Sequence, residues 1–80
     1  MVDVSGDGLA VEAVKLAEDG SGDVVVRVRE TLGTRSHGAV SVPGCTEAAA
    51  ADLVERTLGP VDPQRLEFRQ FEVKTLRFRR

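Results

Sequence analysis

One stretch, Ala13 to Glu30 (AVKLAEDGSGDVVVRVRE), leaves this chain few ways to fold. An apolar run of Leu9, Val11, Ala13, Val14 and Leu16 stops at the acidic, glycine-rich block Glu18-Asp19-Gly20-Ser21-Gly22-Asp23. Val24-Val25-Val26 then opens the most β-branched segment of the sequence. Valine is stiff at χ1 and packs well on a pleated surface, so this segment favours an extended backbone. Gly20 and Gly22 supply the positive-φ positions that a reversal needs. The stretch reads as strand, tight turn, strand. A helix with Leu9, Ala13, Leu16 and Ala17 on one face is the alternative for the first arm. The strand is preferred, because glycine turns bracket the arm closely and the valine segment follows at once.

The rest of the chain repeats the theme. Val2-Asp3-Val4 is a short extended segment stopped by the turn Ser5-Gly6-Asp7-Gly8. In the first arm Leu9, Val11 and Ala13 face one way and Ala10, Glu12 and Val14 the other. Val24, Val26 and Val28 face the core, with Val25, Arg27, Arg29 and Thr31 opposite. Ser36 to Val42 alternates His37, Ala39 and Ser41 against Gly38, Val40 and Val42, and Pro43-Gly44 breaks it. Residues 47–55 are ambiguous. Four consecutive alanines favour a short helix, although everything around them is extended. Gly59 to Pro63 reads as a loop. Arg65 to Arg69 alternates with Leu66 and Phe68 inward. In Phe71 to Arg79 the inward set shifts from Phe71 and Val73 to Leu76 and Phe78, which implies a β-bulge near Lys74-Thr75 or burial of both faces. Six or seven short strands at about ten-residue spacing make an all-β, small antiparallel sandwich, residues 1–80 forming a single domain.

Eighty residues bury a modest core. The single cysteine, Cys45, allows no internal disulfide and fits a reducing, cytoplasmic setting. No apolar run is long enough to span a membrane, and the start lacks the pattern of a secretion signal. Residues 1–30 carry seven acidic and three basic side chains, whereas residues 64–80 carry six basic and two acidic. That basic tail could suggest nucleic acid. Solvated strand faces explain Arg65, Arg69, Lys74, Arg77 and Arg79 more simply, and there is no Tyr or Trp to stack bases.

Candidate chemistry is thin. Asp19, Ser21, Asp23 and Glu30 stand at positions one, three, five and twelve of a calcium loop, but Val24 occupies the position that demands glycine. Cys45 and His37 could form a nucleophile and base, yet nothing supplies the orienting group, so a buried or half-buried structural pair is expected. Glu18-Asp19 and Glu55 would have to flank a cleft to act on a sugar. Gly20-x-Gly22 lacks the lysine of a phosphate loop. The three Phe all sit at core-like positions, leaving no aromatic platform for a sugar.

Three pieces of sequence do carry a family signature. Ala13-Val14-Lys15-Leu16-Ala17-Glu18-Asp19-Gly20 with Val24-Val25-Val26-Arg27-Val28-Arg29-Glu30 resembles the AVKxAED…lhvRlyE hairpin of the α-mannosidases of glycoside hydrolase family 38. Ala51-Asp52-Leu53-Val54-Glu55-Arg56 is similar to that family's EvDLlE segment, and the resemblance implies a strand from Ala51 to Glu55. Phe71-Glu72-Val73-Lys74-Thr75-Leu76-Arg77 is similar to its closing PFEIkTLrl. The pieces keep the family order and span about Leu9 to Arg79. Gln70 departs from a usual proline and Arg29 from a frequent tyrosine.

The resemblance implies the non-catalytic C-terminal β-sandwich of a longer enzyme. In that family a zinc ion and a carboxylate nucleophile in the preceding catalytic part hydrolyse terminal α-linked mannose, and none of those residues maps here. No catalytic, cofactor or metal residue is therefore expected, and the partners implied are the preceding domains. Contact with a mannoside is unproven; neither nucleic acid nor a membrane is expected. The motif residues Lys15, Glu18, Asp19, Gly20, Arg27, Glu30, Asp52, Glu55, Phe71, Thr75 and Leu76 are expected to be structural. Lys15 and Arg27 could meet acidic partners across paired strands. A free-standing binding or interaction module with the same fold is the alternative.

Overall fold

A computed structural model describes residues 2–45, 47–51 and 57–79. All regular structure among them is extended. The strands are β1 (Asp3–Ser5), β2 (Leu9–Leu16), β3 (Val24–Glu30), β4 (Ser36–Ser41), β5 (Glu47–Ala51), β6 (Thr57–Val61), β7 (Leu66–Phe68) and β8 (Val73–Arg79). Two antiparallel sheets result, one ordered β1-β4-β7 and the other β2-β3-β8-β5-β6.

The sheets bury their facing sides against each other. Val26, Val28, Leu76, Phe78 and Ala48 of the five-stranded sheet meet Val40, Leu66 and Phe68 of the smaller one, with Val42 just beyond β4. Leu66 and Phe68 point inward as their alternation requires, flanked by exposed Arg65, Glu67 and Arg69. Gly20 and Gly22 take positive φ in the β2–β3 turn, at 77° and 85°.

Several expectations are corrected. Among the described residues there are eight strands, because Thr57–Val61 is extended where a loop was expected over Gly59 to Pro63. Pro60 is tolerated because β6 is an edge strand, where a missing N–H can face outward. The alanines form a strand and no helix: β8 and β6 flank β5 on both sides, and pairing overrides local propensity. Ala48 stands opposite Phe78, where a small side chain leaves room for the ring. Of the strand expected from Ala51 to Glu55, Ala51 closes β5 and residues 52–56 lie outside the described residues.

The irregularities also move. β8 pairs with β3 in unbroken register from Val73 to Phe78, so it carries no bulge at Lys74-Thr75. Instead the register shifts in β2, between Val11 and Ala13, and in β5, between Ala50 and Ala51. A shift of one residue exchanges the faces of everything beyond it. Val11, Val14 and Leu16 therefore lie opposite Val28, Val26 and Val24 on the inner face, while Ala13 and Lys15 lie opposite Arg27 and Val25 on the outer one. The inner side chains of β2 nonetheless stay exposed, at 39% for Val11, 48% for Val14 and 62% for Leu16. Strand β2 is an edge strand of the five-stranded sheet.

Candidate functional site

Two clusters of charged side chains organise this fold. The first is the β2–β3 turn. Ser21 N donates to Asp19 Oδ1 at 3.0 Å, and Asp23 N donates to Ser21 Oγ at 3.1 Å. These bonds close the turn on itself and aim its oxygens at one point. Arg77 of β8 fills that point. Its Nε donates to Asp23 Oδ2 at 2.8 Å, and its Nη2 donates to Asp19 Oδ2 and, at 3.0 Å, to Ser21 Oγ. The Arg77 guanidinium holds the Asp19 carboxyl well below the usual aspartate range, helped by bonds from Ser21. The two aspartates in turn raise the pKa of Arg77.

The oxygens spaced like a calcium loop thus serve as a socket for a guanidinium. Arg77 is not a solvated strand-face charge: its side chain is only 15% exposed. Removing it breaks the socket and leaves the largely buried Asp23 carboxylate without this ion-pair partner. Arg77→Ala is expected to lower the melting temperature of the protein by roughly 5–10 °C in a thermal scan, with Arg77→Lys recovering only part because one ammonium cannot replace a fork of donors.

The second cluster surrounds Glu30, the last residue of β3, whose side chain is fully buried. Its carboxylate accepts from Leu32 N at 2.9 Å, Gly33 N at 2.8 Å and Phe71 N at 3.0 Å. Burial alone would raise its pKa. The backbone donors of Phe71, Leu32, Gly33 and Thr34 outweigh burial and bring it below the usual value. Glu30 N also donates to Glu72 O at 2.9 Å. One residue thereby ties the end of β3 to the following turn and to the turn before β8.

Phe71 is a correction to the sequence reading. It sits in that turn at φ 55°, unusual for a side chain of its size, and is 60% exposed instead of being core. Its ring lies against Gly33, where an added Cβ would come within 2.7 Å of it. Val73, also expected inward, is exposed on the outer face opposite Arg29.

The other singled-out residues scatter. Lys15 Nζ donates to Glu18 Oε1 at 3.0 Å, a contact along the chain and not across strands. Arg27 lies between Ala13 and Thr75 in the register. Its Nε is buried without a hydrogen-bond partner among the described residues. Leu76 is core, Thr75 is half-buried, and Gly20 makes the turn. Asp52 and Glu55 lie outside the described residues. His37 is an exposed side chain with Nε2 3.5 Å from Glu67 Oε1, and Cys45 is half-buried against the core. The expected buried or half-buried pair is therefore not what His37 forms, its side chain being exposed beside Glu67.

Among the described residues no three His, Cys, Asp or Glu side chains gather as a metal would require. What the clusters do is fasten strands distant in sequence. Sequence reasoning placed Arg77 in a solvated face; the Asp-x-Ser-x-Asp spacing was the signal that a cation would be seated there.

Two packed antiparallel sheets define a small β-sandwich. The family model of the glycosyl hydrolases family 38 C-terminal beta sandwich domain matches residues 8–76, and the chain belongs to that family. No curated protein matches it.

Proposed function

We propose that this chain is the non-catalytic C-terminal domain of an α-mannosidase-like glycoside hydrolase and packs on the catalytic part to support it. The observation that carries this reading is the inner face of β2. Val11, Val14 and Leu16 form an apolar row on an edge strand that nothing in the described chain covers. Exposed apolar surface gathered in one place marks an interface, whereas scattered exposed side chains need no explanation. The unpartnered Nε of Arg27, on the opposite face of the same hairpin, is a donor that a neighbouring carbonyl or carboxylate would satisfy. The zinc and the hydrolysis of α-linked mannose are then properties of the preceding part, and the setting is cytoplasmic.

The test is the double substitution Val14→Glu/Leu16→Glu. In the isolated chain these exposed sites are expected to change stability by no more than about 0.5 kcal/mol each. In the parent enzyme the same change is expected to shorten the thermal half-life of α-mannosidase activity severalfold. An unchanged half-life would remove the docking role. Titration with α-mannosides is expected to leave the amide spectrum of the isolated chain unmoved; saturable shifts at the Glu18–Asp23 turn would make it a sugar-contacting module.

A further inference from the structure

Strand β2 is the longest of the described strands, at 8 residues, yet every residue from Ala10 to Leu16 is exposed. Its backbone is open along one side as well. Ala17 N donates to Asp23 O at 2.8 Å, and Thr31 N donates to Gly8 O at 2.7 Å, at the two ends of the β2–β3 ladder. Bonded and non-bonded pairs alternate along an antiparallel ladder. Counting inward from those ends, Lys15, Ala13 and Ala10 exchange bonds with β3, opposite Val25, Arg27 and Arg29. The N–H and C=O groups of Val11, Val14 and Leu16 therefore point away from β3, and among the described residues no strand pairs with them. These same residues carry the apolar row.

The opposite edge of the sheet is better guarded. Strand β6 is 5 residues long and includes Pro60, which has no N–H to offer an incoming strand. From Ala13 to Leu16, β2 has no proline, glycine or register shift. The bulge after Val11 and the outward Lys15 blunt it against strands that drift past. The apolar row exposes far less than the roughly 800 Å² per partner of a stable interface. A freely diffusing second copy is thus held too weakly by this edge, whereas a segment tethered to the same chain arrives at high effective concentration. A helix laid on the row would cover the side chains and leave the backbone groups bare; a strand answers both. Given the docking role proposed above, on which this rests, we propose that an extended segment of the preceding catalytic part adds to the free edge of β2. It pairs with Val14 and Leu16 and sets apolar side chains of its own at alternate positions beside them.

The experiment is hydrogen exchange at single-amide resolution, on the isolated chain and on the parent enzyme. In the isolated chain the amides of Lys15 and Ala17 are expected to be protected while those of Val14 and Leu16 exchange freely. In the parent enzyme Val14 and Leu16 are expected to slow by about a hundredfold or more. Val14→Pro removes one outward N–H. It is expected to leave the isolated chain folded, as edge prolines do, and to shorten the thermal half-life of the parent enzyme severalfold. Suppose Val14 and Leu16 exchange alike in both proteins while Val14→Glu/Leu16→Glu still shortens that half-life. Strand addition is then overturned and docking stands on side chains alone. If neither the amides nor the half-life respond, both readings fall. Slowing that appears in the isolated chain as its concentration rises would make the occupant a second copy and overturn the proposal as well.

Discussion

Glu30→Ala is expected to be among the most damaging single changes outside the apolar core, lowering the melting temperature by roughly 10 °C or more. The truncation removes a fully buried carboxylate that accepts from three part-buried backbone donors, on Leu32, Gly33 and Phe71. Donors left unpaired away from water cost more than the lost bonds themselves, and the emptied site leaves a cavity besides. Glu30→Gln keeps the shape but offers one oxygen and a competing donor where two oxygens accept, so it should recover only part of the loss. The same carboxylate, with Asp19, sets the response to acid. Both groups bind their proton less readily when folded, from ordinary values of 4.5 for Glu30 and 3.8 for Asp19. Their contribution is therefore complete above those values and is lost as pH falls through the lowered folded ones. Unfolding followed by circular dichroism should show an acid limb beginning below about pH 4.5, set by the ordinary glutamate value. Arg77→Ala should weaken that limb, because the Asp19 pKa then returns towards its ordinary range.

The second large effect belongs to the core. Phe78→Ala is expected to cost about 3–5 kcal/mol, because the ring is 1% exposed and pairs in the sheet with Val24 on one side and Ala48 on the other. Folded domains of ordinary size are stable by only about 5–15 kcal/mol. An 80-residue domain has less to spare. The substitution should leave much of the protein unfolded at 37 °C, read as loss of amide dispersion. Phe71→Ala is the contrast: an exposed ring in a turn, whose removal should cost far less.

Those two phenylalanines show where the sequence is legible and where it is not. Phe78, Phe68 and the row Val24-Val26-Val28 announce themselves by alternation within one strand, because a two-residue period has only two faces to choose between. The hairpin announces itself by its turn chemistry. Phe71 misleads because it stands in a turn whose left-handed backbone is held by a carboxylate 41 residues away in sequence. No local pattern records that. The bulge in β2 is equally silent: Val11 and Val14 differ in parity, and only the partner strand shows that they share a face. The alanines hide their strand for the same reason, since β5 is extended through what lies beside it. Of the site, the Asp-x-Ser-x-Asp spacing was visible and its occupant was not. The guanidinium arrives more than fifty residues later.

Strand β8 has one further consequence, for the order in which the molecule can be made. It occupies the middle of the five-stranded sheet, with the β2–β3 hairpin on one side and the β5–β6 hairpin on the other. Among the described strands a ribosome delivers it last. Until it emerges, the two hairpins have no shared neighbour, Val26 and Val28 have no partner in Leu76 and Phe78, and the turn socket has no arginine to close on. The nascent domain must wait with its edges unpaired, in the state most open to aggregation or to capture by a chaperone. Completion then comes in one step, as a single incoming segment joins two halves that cannot join each other.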